Sequence, residues 1–191
     1  LAARQRGVNE ARAAHAGKTK CIVAHAAEVN LVADGFRGIP TMTREVLPGV
    51  ELDLVYEPSA ALSLLFNYTY TDAEVTEDTV LPVGDRLRAV PQQSGRLAAR
   101  YRFEGALENF EIGGGLTYVS ERELTLPNTL SIDGMITADV QGSYDFGPAS
   151  LSLSVVNLFN NDGFEPFQYF GGAYVIPTQP RSAFVTLRTS F

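Results

Sequence analysis

Residues 96–103 read RLAARYRF. Taken alternately, they separate into Leu97, Ala99, Tyr101 and Phe103 on one side and Arg96, Ala98, Arg100 and Arg102 on the other. A period of two marks a β-strand with unlike faces. The contrast between the faces bears on the fold. A small soluble sandwich turns its apolar set inward and its polar set to solvent. A transmembrane barrel does the reverse, with the apolar set against lipid and the polar set lining a wet lumen. Three guanidinium groups on one face of one strand suit a wet lumen.

The pattern recurs on both sides of that stretch. VELDLVY (50–56) sets Val50, Leu52, Leu54 and Tyr56 against Glu51 and Asp53, and ALSLLFNYTYT (61–71) sets Leu62, Leu64, Phe66, Tyr68 and Tyr70 against Ser63, Asn67, Thr69 and Thr71. FEIGGGLTYVS (110–120) and SIDGMITADVQGSYDF (131–146) alternate likewise, the second with Asp133, Asp139 and Asp145 on its polar side. LSLSVVNLF (151–159) changes parity at Val155–Val156, as at a bulge. The closing PRSAFVTLRTSF (180–191) places Ala183, Val185, Leu187 and Phe191 on one face. The reading is all-β: an antiparallel up-and-down meander of about seven long strands.

The connections alternate in length. EPSA (57–60), EGALEN (104–109) and the GPA after Phe146 are short. Residues 72–95, 121–130 and 160–180 are long. A barrel whose two rims face different compartments has this asymmetry. The strands match the roughly 9–11 residues a tilted strand needs to cross a bilayer. Tyr56, Phe103, Phe110, Tyr144, Phe146 and Phe191 all fall at the short-turn rim, as an interfacial aromatic girdle would. Seven strands do not close such a barrel, because an open edge facing lipid leaves N–H and C=O groups unpaired. The chain therefore reads as the C-terminal part of a larger barrel, with an open edge expected at the last strand. A passive porin-like small barrel and a soluble β-sandwich binding module are the alternatives.

Composition narrows the function. The net charge of −7 argues against nucleic acid as a partner. Residues 1–47 carry a balance of +3 and residues 48–191 a balance of −10, and both lysines, both histidines and the single cysteine precede residue 26. Residues 1–47 are accordingly expected to be an atypical lead-in, poorly ordered or non-native to the fold, with AHAAEVNLVADGF able to supply one poor strand. Residues 48–191 are expected to be the barrel portion. With His15 and His25 both outside that portion, no base–nucleophile arrangement suggests an enzyme. His15, Cys21 and His25 lack a fourth ligand for a metal site, and no cofactor is expected.

The pieces GVELDLVYEP, LLFNYTYTDAEV, GDRLRAVPQQSGRLAARY, GGGLTYVSER, MITADVQGSYDF, LSLSVVNLFNNDGF and PRSAFVTLRTSF, in this order over about three-quarters of the chain, resemble the C-terminal barrel portion of TonB-dependent outer-membrane receptors, the siderophore-receptor branch in particular. The resemblance implies a parent barrel of about 22 strands, an N-terminal plug and a segment that engages TonB. It implies residence in the outer membrane of a Gram-negative bacterium and uptake of a ferric siderophore or similar large ligand. A free-standing copy of this portion is expected to be inactive in uptake. The partners implied are outer-membrane lipid, the ligand, TonB through the N-terminal part, and the barrel assembly machinery. That machinery would read the C-terminal signal carried by Val185, Leu187 and Phe191.

In that family, loops above the lumen capture the ligand. Here the last long connection offers Phe164, Phe167, Tyr169, Phe170 and Tyr174, which could stack on flat ligand groups or pack on one another. Arg86 and Arg88 could attract an anionic ferric complex or pair with Glu74, Glu77, Asp78 and Asp85. Arg96, Arg100, Arg102, Glu111, Asp133 and Asp139 are expected to face the lumen as ion pairs or plug contacts. Asp133 and Asp139, six residues apart on one strand, would stand roughly 20 Å apart, too far for a catalytic pair. Gly113–Gly115 lies within a strand, so a bend or a close backbone approach is expected rather than a phosphate loop.

Overall fold

A computed structural model describes residues 19–34, 42–169 and 172–189. The strands are β1 (Thr19–Asp34), β2 (Met42–Tyr56), β3 (Leu62–Thr71), β4 (Glu74–Glu77), β5 (Gln93–Arg102), β6 (Phe110–Val119), β7 (Arg122–Glu123), β8 (Ser131–Ile132), β9 (Met135–Asp145), β10 (Ala149–Val156), β11 (Phe164–Tyr169), β12 (Gly172–Pro177) and β13 (Ser182–Thr189). A 3-10 turn, Gly105–Leu107, joins β5 to β6. One antiparallel sheet runs in the order β1-β2-β3-β5-β6-β9-β10-β13, with β4 folded back onto β2. Each long strand pairs with the next in sequence, as a meander requires. The seven expected strands are β2, β3, β5, β6, β9, β10 and β13.

Register carries the two faces across the sheet. Arg100 lies opposite Ser63 and Gly113, Gly113 opposite Gln141, and Gln141 opposite Ser154. On the other face Tyr101 lies opposite Leu62 and Ile112, Ile112 opposite Gly142, Gly142 opposite Leu153, and Leu153 opposite Val185. A slip of one residue at any pair would mix the sets. No second layer covers the apolar face among the described residues. Val185 is 71% exposed and Leu187 66%, and Leu97, Leu116, Ile136 and Leu153 are exposed as well. The described apolar side chains that are buried, Ala73, Val75, Ile132 and Ala138, do not form a core between two sheets. This is no sandwich.

The short turns gather the aromatic residues. Tyr101 and Phe103 meet edge to face at 5.0 Å, Phe103 and Phe110 lie 5.2 Å apart, and Tyr144 and Phe146 4.7 Å. Phe191, expected in the same belt, lies outside the described residues. At the far side of the sheet β13 pairs, among the described residues, with β10 alone, leaving the open edge expected from the strand count.

Three local expectations change. The parity switch at Val155–Val156 is not a bulge: β10 keeps unbroken register with β13 from Ala149↔Thr189 to Val156↔Ser182 and simply ends there. Asn157 follows with φ 51, a left-handed conformation that asparagine tolerates. Residues 131–146 are not one strand. Ser131–Ile132 pairs with β7, and β9 starts at Met135. The backbone at Gly134 passes so close to the end of β6 that a Cβ there would stand 2.9 Å from the Val119 carbonyl, and the strand breaks at this approach. The 160–180 connection is not a simple loop, since β11 and β12 pair as a hairpin. Pairing crosses Pro48 as well: β1 and β2 stay in register from Asp34↔Met42 through Glu28↔Pro48 to Cys21↔Val55. Pro48, which has no N–H, sits where β2 exchanges partner β4 for β3.

The two faces make opposite demands. Leu97→Arg is expected to cost about 2–4 kcal/mol in denaturant titrations of the protein in phospholipid vesicles, the penalty of a cation near the bilayer midplane. Ser152→Arg, on the polar face, is expected to cost less than about 1 kcal/mol.

Candidate functional site

The polar face is a band of charge-assisted contacts between adjacent strands. Arg96 donates through Nη1 to Thr117 Oγ1 at 2.6 Å and stands 3.6 Å from Asp139 Oδ2, joining β5, β6 and β9. Arg102 Nη2 meets Glu111 Oε2 at 3.3 Å, directly across the β5–β6 register. Both pairs are partly exposed, so each fixes side-chain position more than it stabilises the sheet. Arg100 is exposed at the edge of a hollow of about 420 Å³ floored by Gly113 and Gly115 and also lined by Gln141 and Ser154. Register runs unbroken through the three glycines, which belong to the wall and not to a loop. Asp133 is not in this band. The break before β9 puts it beside a cavity of about 310 Å³ that it shares with Asp162, Leu124, Ile132, Phe164 and Val175.

At the other rim the long connections are tied to one another. Asn128 is the first tie. Its Oδ1 accepts from the Arg86 N–H at 2.6 Å, its Nδ2 donates to the Arg86 carbonyl at 2.8 Å, and its own N–H donates to Asp85 Oδ2 at 2.9 Å. The Ala89 N–H donates to the Glu123 carbonyl at 2.7 Å, a second bond between the same two connections. Arg122 is the next tie. It is 5% exposed and donates through Nη1 to Glu165 Oε2 at 2.6 Å and through Nη2 to the Phe164 carbonyl at 2.9 Å. Asn157, 2% exposed, fixes the root of the last connection. Its Nδ2 donates to the carbonyls of Asn161 and Gln179, its Oδ1 accepts from the Asn161 N–H, and its own N–H donates to Asp139 Oδ1.

Against this frame the expected ligand residues separate. Phe167 and Tyr174 stand directly opposite each other on the β11–β12 hairpin, 47% and 53% exposed. Arg88 is exposed and shares a small cavity of about 60 Å³ with Phe167, Pro166 and Gly172. Arg88 and Phe167 are thus brought together, with Tyr174 across the hairpin from Phe167. Phe164 is on the opposite parity of the hairpin and lines the 310 Å³ cavity. Arg86 is half-buried, and its main chain is held by Asn128. Among the described residues neither Arg86 nor Arg88 forms an ion pair, and the Asp85 carboxylate is engaged by Asn128. Tyr169 ends β11, and Phe170 lies outside the described residues.

Three residues of the frame, Asn128, Asn157 and Arg122, were not singled out from the sequence. Asn157 had a signal, since an asparagine just after a parity change suits a left-handed turn. Asn128 follows Pro127 in a turn-rich stretch, but the partners that tie it to the other connection are 42 and 43 residues away. Arg122 had none: one arginine between Glu121 and Glu123 reads as solvated.

A meander with an exposed apolar face and a polar face crossed by charged pairs defines part of the wall of a transmembrane β-barrel. Residues 44–158, more than half of the chain, match the family described as TonB dependent receptor-like, beta-barrel, and the chain belongs to that family. It is 31% identical over 146 residues to the Metal-pseudopaline receptor CntO of Pseudomonas aeruginosa, covering 75% of this chain and 20% of that protein. It is 30% identical over 118 residues to the Ferrichrome outer membrane transporter/phage receptor of Escherichia coli K12, covering 61% of this chain and 16% of that protein. BauA, the Ferric preacinetobactin receptor from Acinetobacter baumannii, shares the fold at a TM-score of 0.73 and 20% identity, over 87% of this chain and 26% of BauA. The chain thus spans about a fifth of the length of the curated relatives it matches.

Two substitutions probe the frame. Asn157→Ala leaves the Asn161 and Gln179 carbonyls without their donor and forces alanine into a left-handed conformation. A local loss of about 2–4 kcal/mol is expected, read as faster hydrogen exchange across residues 157–181. A Cβ on Gly172 would stand 2.7 Å from the Tyr174 ring, so Gly172→Ala is expected to turn that ring and change its fluorescence anisotropy while the sheet keeps its thermal transition.

Proposed function

We propose that this chain is the C-terminal part of the barrel of an outer-membrane receptor that takes up a ferric siderophore or similar large metal chelate in a TonB-dependent way, in a Gram-negative bacterium. The observation that carries the reading is exposed Phe167, beside Arg88 and opposite exposed Tyr174, standing at the long-connection rim of a wall whose other face suits lipid. Flat ligand groups stack on the two rings, and the guanidinium draws an anionic complex toward them. Arg96, Arg100, Arg102, Glu111 and Asp139 line the lumen, where a plug would sit. The relatives' names support the ligand class: one is a metal-pseudopaline receptor and another a ferrichrome transporter.

The division of the chain follows from this reading. Residues 48–191 are barrel wall, and residues 1–47 are a lead-in of different composition that joins the same sheet through Thr19–Asp34 and the first part of β2. Binding of TonB and movement of a plug belong to other parts of such a receptor, and this portion supplies wall and ligand-facing rim. Lipid contacts the apolar face, and the assembly machinery reads the end carrying Val185, Leu187 and Phe191. The role is that of a receptor and transporter, not of an enzyme.

The test is binding of a ferric tris-catecholate to outer membranes carrying the protein. Phe167→Ala and Tyr174→Ala are each expected to weaken binding roughly fivefold, about 1 kcal/mol per ring. Arg88→Gln is expected to flatten the salt dependence of binding. Unchanged affinity in all three variants would remove the rim from ligand capture.

A further inference from the structure

We infer that Arg122 is a positioning residue: it sets where the β11–β12 arm stands, and with it the ligand-facing rings. This rests on the reading that Phe167 and Tyr174 meet the ligand. Arg122 belongs to a two-residue strand in a water-facing connection, yet its side chain is 5% exposed. Both of its terminal nitrogens are committed to the arm, one to the Glu165 carboxylate at 2.6 Å and one to the Phe164 carbonyl at 2.9 Å. A side-chain anchor and a main-chain anchor on consecutive residues fix both the position and the roll of the arm. A planar guanidinium has the geometry for this, whereas an ammonium is a single point of charge.

Packing alone does not set that distance. Between the two hairpins lies a cavity of about 310 Å³, with Leu124 and Ile132 on one side and Phe164 and Val175 on the other. The cavity interrupts the packing between the hairpins, so the polar clamp adds to the few close approaches between β8 and β11 in holding the spacing. Arg122 Nε is buried with no hydrogen-bond partner among the described atoms, so the head group is not shared with its own hairpin. That hairpin is held in turn by the Ala89–Glu123 main-chain bond and by Asn128. Glu165 shares the parity of Phe167, so the anchored residue and the ring lie on one face of the arm. Without Arg122 the arm keeps its root at Asn157 and pivots there, carrying Phe167 and Tyr174 away from Arg88.

The experiment places a nitroxide at Ala173→Cys, near the tip of the arm, in a Cys21→Ser background of the full chain in outer membranes. It reads label mobility together with association and release of a ferric tris-catecholate. Arg122→Met is expected to sharpen the nitroxide spectrum and speed release about tenfold, with association within twofold and heat-modifiable gel mobility unchanged. Glu165→Gln, which keeps an acceptor for Nη1, is expected to stay within twofold of the parent in both readouts. Should Arg122→Met fail to reach the membrane, Arg122→Lys carries the test, since it retains the charge but cannot hold both anchors, and its label is expected to be freed. An unchanged spectrum in the folded Arg122 variant overturns the inference. A freed label in a protein whose parent does not bind the probe upholds the clamp and sinks the siderophore reading instead.

Discussion

At membrane depth no water is available to a main-chain N–H or C=O, so each strand depends on its neighbour for every hydrogen bond. The other features of this sheet work within that constraint. It demands continuous register across eight strands, and continuous register is what lines up Arg96, Thr117 and Asp139 on one face. It also makes proline expensive within the wall. Pro48 is accommodated where β2 changes partners. At the rims, where water returns, the backbone is free to leave the ladder. The irregular residues gather there: Asn157 with its positive φ, Gly134 at its close approach, and the paired hairpins of the long connections.

The two rims solve different problems with different chemistry. The short-turn rim uses aromatic rings in contact, which suit a boundary that is apolar on one side and wet on the other. The long-connection rim uses side-chain amides and one guanidinium to bind main chain to main chain. Asn128 and Asn157 each satisfy several backbone groups that have no strand partner. A buried polar group with all its bonds made rigidifies its surroundings. These connections are therefore built as a joined frame and not as independent loops.

The wall was legible in the sequence because its period is two and its faces are chemically unlike. RLAARYRF alone specifies strand, faces and environment, and register then repeats that reading from neighbour to neighbour. The rim was less legible. Phe167 and Tyr174 stood out as aromatics, but nothing local says that they face each other across a hairpin while Phe164 turns away. Arg122 was invisible because its burial comes from residues 42 and 43 positions later in the chain. Asp133 was misplaced because a regular alternation was extended through Gly134, whose meaning lies in the proximity of Val119. Periodicity reports on repeated environments, and sites made by one contact between distant segments leave no period to read.

The pairing of every long strand with its sequence neighbour has a further consequence for how such a wall forms. Contacts between successive strands close short stretches of chain, so each new hairpin can zip onto the last at little entropic cost. Growth is then by addition at an edge, and pairings already made are not revised when another hairpin arrives. Among the described residues one side of β13 has no partner, while its pairing with β10 runs unbroken from Ala149↔Thr189 to Val156↔Ser182. Rims can lengthen or shorten in such a design without disturbing the ladder. The same wall can then carry different rims.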